Sequence, residues 1–102
     1  MLRVERWNES GAPVADELRR RMEREGYSVF EWSDAAGTVY APHEHPEDQS
    51  HWIVSGALEL TVGGETYTLR AGDRDYLPAH TVHAAFVPGR ERVVYLIGAK
   101  IR

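Results

Sequence analysis

From residue 27 onward, the chain consists of short segments with the pattern of β-strands, separated by turn residues. Residues 58–62 alternate apolar and polar side chains, and Gly63-Gly64 then forms a two-residue hairpin turn before residues 65–69. Ala71-Gly72-Asp73 and Pro88-Gly89 mark further turns between such segments. In a chain of 102 residues, which has room for one core, this succession predicts an all-β sandwich or barrel.

A single helix is predicted before the strands, over residues 13–25. Val14, Leu18 and Met22 recur every four residues, which places them on one face of a helix, and Gly26 suits a left-handed helix end. A helix of about three turns is marginal on its own and must dock on another element. We therefore expect residues 1–26 to form a strand and helix extension packed on a barrel of residues 27–102, within one domain.

The composition excludes several classes of function. The chain contains no cysteine, which removes disulfides, zinc-thiolate sites and thiol nucleophiles. A formal net charge of −4 gives no electrostatic reason to bind nucleic acid or an anionic membrane. The apolar run at residues 93–97 is far too short to span a bilayer, and the N-terminus shows no secretory signal. We expect a cytoplasmic protein without a nucleic-acid or membrane partner.

Four of the five histidines fall in two clusters with informative spacing. His43 and His45 are separated by one residue, so an extended backbone points both side chains to the same face. Gln49 and His51 continue that parity, and His83 follows more than thirty residues later, on a different predicted strand. The interior of a barrel is where such distant positions can converge on one metal ion.

The first cluster resembles the first motif of the cupin family. That motif is a glycine, five residues, His-any-His, three or four residues, a glutamate, six residues and a glycine. This sequence has Gly37, His43, His45, Gln49 and Gly56 at those positions. It departs from the pattern at Gln49, which replaces the glutamate.

The second cluster resembles the second cupin motif, which runs glycine, five residues, Pro-any-Gly, two residues, His, three residues, Asn. Gly72, Pro78 and His83 match it, whereas His80 replaces a glycine and Val87 replaces the asparagine. The two motifs together cover residues 37–87, half of the chain. The last two departures affect a turn and a strand end, and so they leave the metal ligands untouched.

The resemblance implies a cupin double-stranded β-helix, a jelly-roll barrel, with a short N-terminal α-helix. It also implies a divalent metal ion (Zn, Ni, Mn or Fe) held by His43, His45, Gln49 and His83. Gln49 offers a carbonyl oxygen but no negative charge, so we expect weaker metal binding and a more acidic bound water than with glutamate. Glutamine also cannot act as a general base.

Other polar residues near the motifs have less certain roles. His51 is left open as a further ligand, a partner of the ligands or a polar pocket residue. His80 has the parity opposite to His83 if their strand is regular, and we interpret His80 as structural. Glu44 alternates outward, and Glu47 and Asp48 are interpreted as a solvated acidic loop.

Two features concern packing and assembly. Trp52 has the parity opposite to Gln49 and should face away from the metal, against the helix or a second subunit. A small barrel has exposed sheet edges that need covering, and cupins usually pair through such an edge. We therefore expect a homodimer.

Three functions fit these residues. The first is a metal-dependent enzyme, of dioxygenase or isomerase type, acting on a small oxygen-rich molecule as ligand or substrate. The second is a non-catalytic module or sensor that binds a small molecule in the same cavity, and the third is a structural barrel stapled by the metal. A barrel that retains the histidines without using a metal is the remaining alternative.

Overall fold

Residues 2–100 are described by the computed structural model, and they form two facing antiparallel sheets and one helix. The strands are β1 (Arg3–Glu5), β2 (Ser28–Asp34), β3 (Val39–His43), β4 (Asp48–Ser55), β5 (Ala57–Val62), β6 (Glu65–Arg70), β7 (Arg74–Tyr76), β8 (His83–Phe86) and β9 (Val93–Lys100), and the helix is α1 (Ala15–Arg24). One sheet has the order β1-β7-β4-β9-β2 and the other β3-β8-β5-β6. The predicted all-β jelly-roll barrel with one short helix is confirmed.

The space between the sheets is filled by an apolar core drawn from both of them. Ile53 of β4 meets Leu58 and Leu60 of β5, Leu69 of β6 and Tyr95 of β9, and all of them are buried. On β5 the alternating pattern of the sequence explains this directly, because every second side chain points inward. The hairpin between β5 and β6 turns at Gly63-Gly64, where both residues have positive φ angles, as predicted.

Helix α1 covers the outer face of the five-stranded sheet. Leu18 and Met22 are buried against Trp52, Tyr27 and Leu96, so Trp52 packs on the helix, one of its two predicted positions. Nearby, a Cβ atom at Gly98 would lie 2.6 Å from Met22 Cε, so this glycine permits the close approach of helix and sheet.

The helix is shorter than the sequence pattern indicated. Val14 has an extended backbone at the N-cap and is 54% exposed, because the first helical residue is Ala15. At the other end Gly26 takes φ 100°, the left-handed end that was predicted. No helix within residues 2–100 has the length and apolarity needed to cross a membrane.

The N-terminal segment is tied to the sheet at two points. Strand β1 pairs with β7, and the Arg74 guanidinium of β7 lies 3.0 and 3.1 Å from the Glu25 carboxylate at the end of α1. Arg74 is buried and is sandwiched by cation–π contacts with Trp52 and Tyr76. The division of the chain at residue 26 stays a prediction.

A β-bulge in β3 decides which of its side chains face the interior. Tyr40 pairs with Ala85 and His43 with His83, and the register between β3 and β8 shifts by one residue between these pairs. In a regular strand, residues three apart point to opposite faces. The extra residue of the bulge therefore allows Tyr40 and His43 to line the same interior surface.

Two glycines of the motifs provide a test of backbone crowding. Gly37 and Gly56 both have positive φ, but a Cβ at Gly56 would lie 2.5 Å from the Arg92 carbonyl oxygen, whereas one at Gly37 would meet no atom within 4 Å. We expect Gly37→Ala to cost about 1 kcal/mol of unfolding free energy. Gly56→Ala should cost about 1–3 kcal/mol more, since backbone atoms must move. Urea denaturation measures both, and equal losses would contradict the crowding argument.

Candidate metal centre

A cavity of about 310 Å³ opens between the two sheets. At one end its wall is formed by imidazole and amide groups, those of His43, His45, Gln49, His51 and His83. The rest of the wall is aromatic and aliphatic, with rings supplied by β2, β3 and β9. The cavity is therefore chemically divided, with most of its polar side chains gathered at one end.

Three histidines converge at the polar end because of the pairing of β3 with β8. His43 and His83 are direct partners across the two strands, and His45 lies just beyond the end of β3. The backbone carbonyl of His45 accepts a 2.8 Å hydrogen bond from the His80 N–H, which ties its loop to the turn before β8. One ring nitrogen of each of the three histidines lies within 4.8 Å of the other two.

Hydrogen bonds select the ring nitrogen that two of these histidines can offer to a cation. His43 Nδ1 lies 2.7 Å from the Ala41 carbonyl oxygen, and His83 Nδ1 lies 2.9 Å from that of Thr81. A carbonyl oxygen only accepts, so both Nδ1 atoms carry the proton and donate it. The lone pair of each neutral ring is then on Nε2, which is the arrangement of a metal-binding histidine.

The surroundings also keep two of the rings uncharged. Burial lowers the pKa of His45, and the neighbouring His43 adds to that effect. Burial likewise lowers the pKa of His83, against a hydrogen bond to Thr81 that raises it. A metal ion requires the neutral imidazole, so near neutral pH both side chains are in the form that can bind one.

Gln49 lies on the opposite sheet, on β4, and lines the same cavity. Its side chain is buried, and its amide N–H group donates to the Glu47 carboxylate at 3.2 Å. This hydrogen bond leaves the amide oxygen as the group that a cation can use. Three of the four predicted ligands are thus brought into one group, and the fourth faces them from the other wall.

His51 forms a buried pair with Asp75 beside this group. Its Nδ1 lies 2.9 Å from one Asp75 carboxylate oxygen, and the other oxygen accepts the His51 backbone N–H at 2.6 Å. Burial disfavours the imidazolium, but the charge and hydrogen bond of Asp75 outweigh it and raise the pKa of His51. His51 therefore lines the cavity next to the three-histidine group without being one of its members.

The residues interpreted as structural or solvated divide into two cases. His80 and Glu44 are exposed and lie 3.4 Å apart, as predicted for side chains outside the site. His80 has φ 62°, which explains why the family pattern has a glycine there. Glu47 and Asp48 are half-buried and hold Gln49 and the Ala79 N–H by hydrogen bonds, so the expectation of a merely solvated acidic loop was wrong for them.

Asp34 organises the aromatic part of the wall. Its buried carboxylate accepts hydrogen bonds from the Tyr40 hydroxyl at 2.8 Å, the Tyr95 hydroxyl at 2.9 Å and the Trp32 indole N–H at 3.1 Å. Burial, followed by the hydrogen bond to Asp34, raises the pKa of both tyrosines. The two hydroxyls are therefore neutral donors engaged with Asp34.

Asp34 and Asp75 are the two functional-site residues that the sequence reasoning missed. Each is an acidic residue with partners on other strands, and neither stands at a defining position of the two motifs, although Asp75 lies between Gly72 and Pro78 of the second. For Asp34 a weak signal existed, because Trp32 is two residues away and shares its face. For Asp75 we find no local signal.

Comparison with known proteins identifies the architecture around this site. The family model Cupin_2, described as a cupin domain, matches residues 30–97. An uncharacterized protein of Streptomyces coelicolor is 38% identical over 48 residues, which are 47% of this chain and 46% of that protein. The match to this curated relative thus spans less than half of its length.

Two solved structures show the same fold. An uncharacterized conserved protein with a double-stranded β-helix domain from Klebsiella pneumoniae is 28% identical, with a TM-score of 0.61, over 72% of this chain and 65% of that one. The DMSP lyase DddQ from Ruegeria pomeroyi is 23% identical, with a TM-score of 0.66, over 72% of this chain and 38% of that one. At that identity, the likeness to the lyase concerns the fold alone.

The aromatic network around Asp34 can be tested by removing one hydroxyl. We expect Tyr95→Phe to reduce the unfolding free energy by about 1–3 kcal/mol at pH 7, since a buried bond to a carboxylate is lost. Because the pKa of Tyr95 is raised in the folded state, its neutral hydroxyl stabilises the fold fully at pH values below the unfolded-state pKa of about 10. This contribution decreases as the pH rises above that pKa. The difference between variant and parent should therefore shrink by about 1.4 kcal/mol by pH 11.

Urea denaturation at the two pH values measures this difference. Tyr67→Phe is the matched control, because the Tyr67 hydroxyl bonds Glu65 at an exposed position. The loss of unfolding free energy in Tyr67→Phe should be near zero at pH 7. A Tyr95→Phe difference that stays constant between pH 7 and pH 11 would contradict the raised pKa.

Proposed function

The chain belongs to the cupin family, and from that premise we propose that it holds one divalent metal ion through His43, His45, His83 and Gln49. The observation that carries the proposal is the geometry of the histidines: Nδ1 of His43 and of His83 lies 2.7 and 2.9 Å from a backbone carbonyl oxygen, which leaves Nε2 of each neutral ring for a cation. Without a metal, three imidazoles gathered at one end of a cavity would lose hydration and gain little interaction in exchange.

The proposed activity is that of a metal-dependent enzyme, of dioxygenase or isomerase type, acting on a small molecule with oxygen donors. When bound, the divalent ion supplies Lewis acidity and open positions for ligand oxygens. The four side chains that would hold it carry no net charge when the histidines are neutral, so the site attracts anionic oxygen. The cavity walls bury the ligand, and the β3–β8 pairing fixes two of the imidazoles before binding.

A non-catalytic binding module is the second candidate, and one observation favours it. Within residues 2–100, the hydroxyls of Tyr40 and Tyr95 donate to Asp34, and Gln49 cannot take up a proton. Neither tyrosine is therefore placed to transfer a proton to a bound molecule. In this alternative, the same cavity and metal capture a small molecule without converting it.

We also propose a homodimer. In the described part of the chain, β1 and β2 end one sheet and β3 and β6 end the other, so each sheet has edge strands that a second copy can cover. Size-exclusion chromatography with light scattering measures the oligomeric state.

Metal binding is tested first on the unmodified chain and on His83→Ala. At a metal concentration roughly 100 times Kd, we expect a stabilisation of about 2.7 kcal/mol, seen as a higher melting temperature with Zn²⁺, Ni²⁺, Mn²⁺ or Fe²⁺. His83→Ala should lose both the metal content, by elemental analysis, and the temperature shift while its circular dichroism stays native.

His80→Gly is the matched control for that experiment. His80 is an exposed histidine next to the same turn, and glycine suits its φ of 62°. This variant should keep the metal content of the parent. A parent protein that takes up no metal and shows no shift with any of the four ions would end the proposal.

The role of Gln49 as a weak fourth ligand is tested by replacing it with glutamate, the residue of the family motif. We expect Gln49→Glu to bind the metal at least about tenfold more tightly, because a negative charge next to the cation gains more than the corresponding 1.4 kcal/mol. Competition with a chromogenic chelator measures Kd. The control is Glu44→Gln at an exposed neighbouring position, which should change Kd little. Equal Kd values for Gln49→Glu and the parent would remove Gln49 from the ligand set.

A further inference from the structure

We propose that the ligand of this cavity carries a planar aromatic ring adjacent to its metal-binding oxygen atoms, and that Phe30 and Trp32 form the wall on which the ring packs. This inference rests on the proposed metal centre and narrows its ligand from an oxygen-rich molecule to an aromatic one. It rests on the cavity wall that lies opposite β3 and β8, the strands that carry His43 and His83.

Phe30 and Trp32 lie on β2, one of the two edge strands of the five-stranded sheet. They pair in register with Ile97 and Tyr95 of β9, and all four side chains line the cavity. The two rings meet edge to face, with centroids 6.2 Å apart at 88°. Although they point into the cavity, Phe30 is 50% exposed and Trp32 47% exposed. A ligand that covers them therefore gains apolar burial and ring contacts.

The polar groups of this wall are already engaged. Trp32 Nε1 and the hydroxyls of Tyr40 and Tyr95 all donate to the Asp34 carboxylate. A sugar or other polyhydroxylated ligand would bring hydroxyl groups against this wall that find no partner there, at a cost of about 1–3 kcal/mol for each buried one. The part of the ligand that lies here is therefore apolar.

The register places the aromatic wall next to the polar end. Ile97 of β9 pairs with Phe30 on one side and with His51 on the other, so these two lie at the same level of the sheet. Across the cavity, the rings of Tyr40 and His43 are 6.5 Å apart. The ring and the oxygen donors must then be close neighbours in the ligand. A volume of about 310 Å³ is near the small end for such sites (about 300–1,000 Å³), which suits a molecule of one or two rings.

A second copy of the chain is the competing occupant of these exposed rings, since β2 is an edge strand. The orientation favours the small molecule, because both rings are directed into the cavity together with the metal-binding histidines rather than onto the outer face of the sheet. Oligomeric state is therefore measured alongside ligand binding.

The test uses three 2-hydroxy acids that share one chelating group: mandelate, lactate and glycerate, which carry a phenyl, a methyl and a hydroxymethyl group. The full chain is first loaded with Zn²⁺, and uptake is verified by elemental analysis. Isothermal titration with each acid should then give a mandelate affinity at least about tenfold higher than those of lactate and glycerate, from ring packing and apolar burial.

The variants Phe30→Leu and Trp32→Leu locate the ring. Each should reduce the ratio of mandelate to lactate affinity to about threefold or less, while the lactate affinity and the Zn²⁺ content stay at the parent values. Phe86→Leu is the matched control, because Phe86 is 40% exposed but lies outside the cavity wall, and it should leave the ratio unchanged. Because two separate variants are measured, the test still gives a result if one of them fails to fold.

The outcomes separate the two proposals. A Zn²⁺-loaded protein that binds the three acids equally, or binds none of them, overturns the aromatic ligand and leaves the metal centre standing. A protein that takes up neither Zn²⁺ nor any of the other three ions but still prefers mandelate overturns the metal centre and keeps the ring wall. If Phe30→Leu shifts the protein from dimer to monomer without changing the mandelate ratio, the rings belong to a subunit interface and the inference is wrong.

Discussion

The pairing of β3 with β8 is the constraint on which the candidate site depends. It sets His43 directly opposite His83 and, through the turn at His80, positions the loop that carries His45. Because strand side chains alternate, a slip of one residue would turn His83 or His43 away from the cavity. The bulge in β3 serves the same end, since it keeps Tyr40 on the wall that His43 continues.

Strand β4 connects the cavity to the outside of the sheet. Its inward side chains include Gln49 and His51, and its outward ones include Ser50 and Trp52, so both faces are buried. On the outer side, Ser50 and Trp52 contact Arg74, whose guanidinium also binds Glu25 at the end of the helix. On the inner side, Asp75 holds His51. Neighbouring residues of β7 thus support the two faces of β4, and the helix and the site share one scaffold.

Much of this arrangement could be predicted from the sequence, because it depends on local rules. Alternation predicted the core positions of β5, parity placed Trp52 on the face away from the metal, where it packs on the helix, and motif spacing led to the three histidines that the fold brings together. What could not be predicted depends on contacts between distant strands. Asp34 reaches Tyr40 and Tyr95, and Asp75 reaches His51, only once the sheets have formed. The nearby Trp32 is a weak local signal for Asp34, and Asp75 has none.

Errors near the helix start and the acidic loop have physical reasons of the same kind. Val14 fits the helical periodicity, yet the helix begins one residue later and leaves it exposed. Asp48 is charged and follows a proline-containing loop, but its carboxylate accepts the Ala79 N–H, which belongs to the turn before β8. Charge alone predicts solvent exposure, whereas an unpaired backbone N–H nearby can draw a carboxylate inward.

The position of Phe30 and Trp32 on β2, a strand without proposed metal ligands, separates what can change in this molecule from what cannot. Strand β2 carries none of the proposed metal ligands, whereas the register of β3 with β8 and of β4 with β9 positions the histidines and Gln49. Substitutions at Phe30 and Trp32 can therefore reshape one wall of the cavity without replacing a proposed metal ligand. A lineage built on this scaffold can acquire new ligands by drift at two positions while it inherits the histidines unaltered.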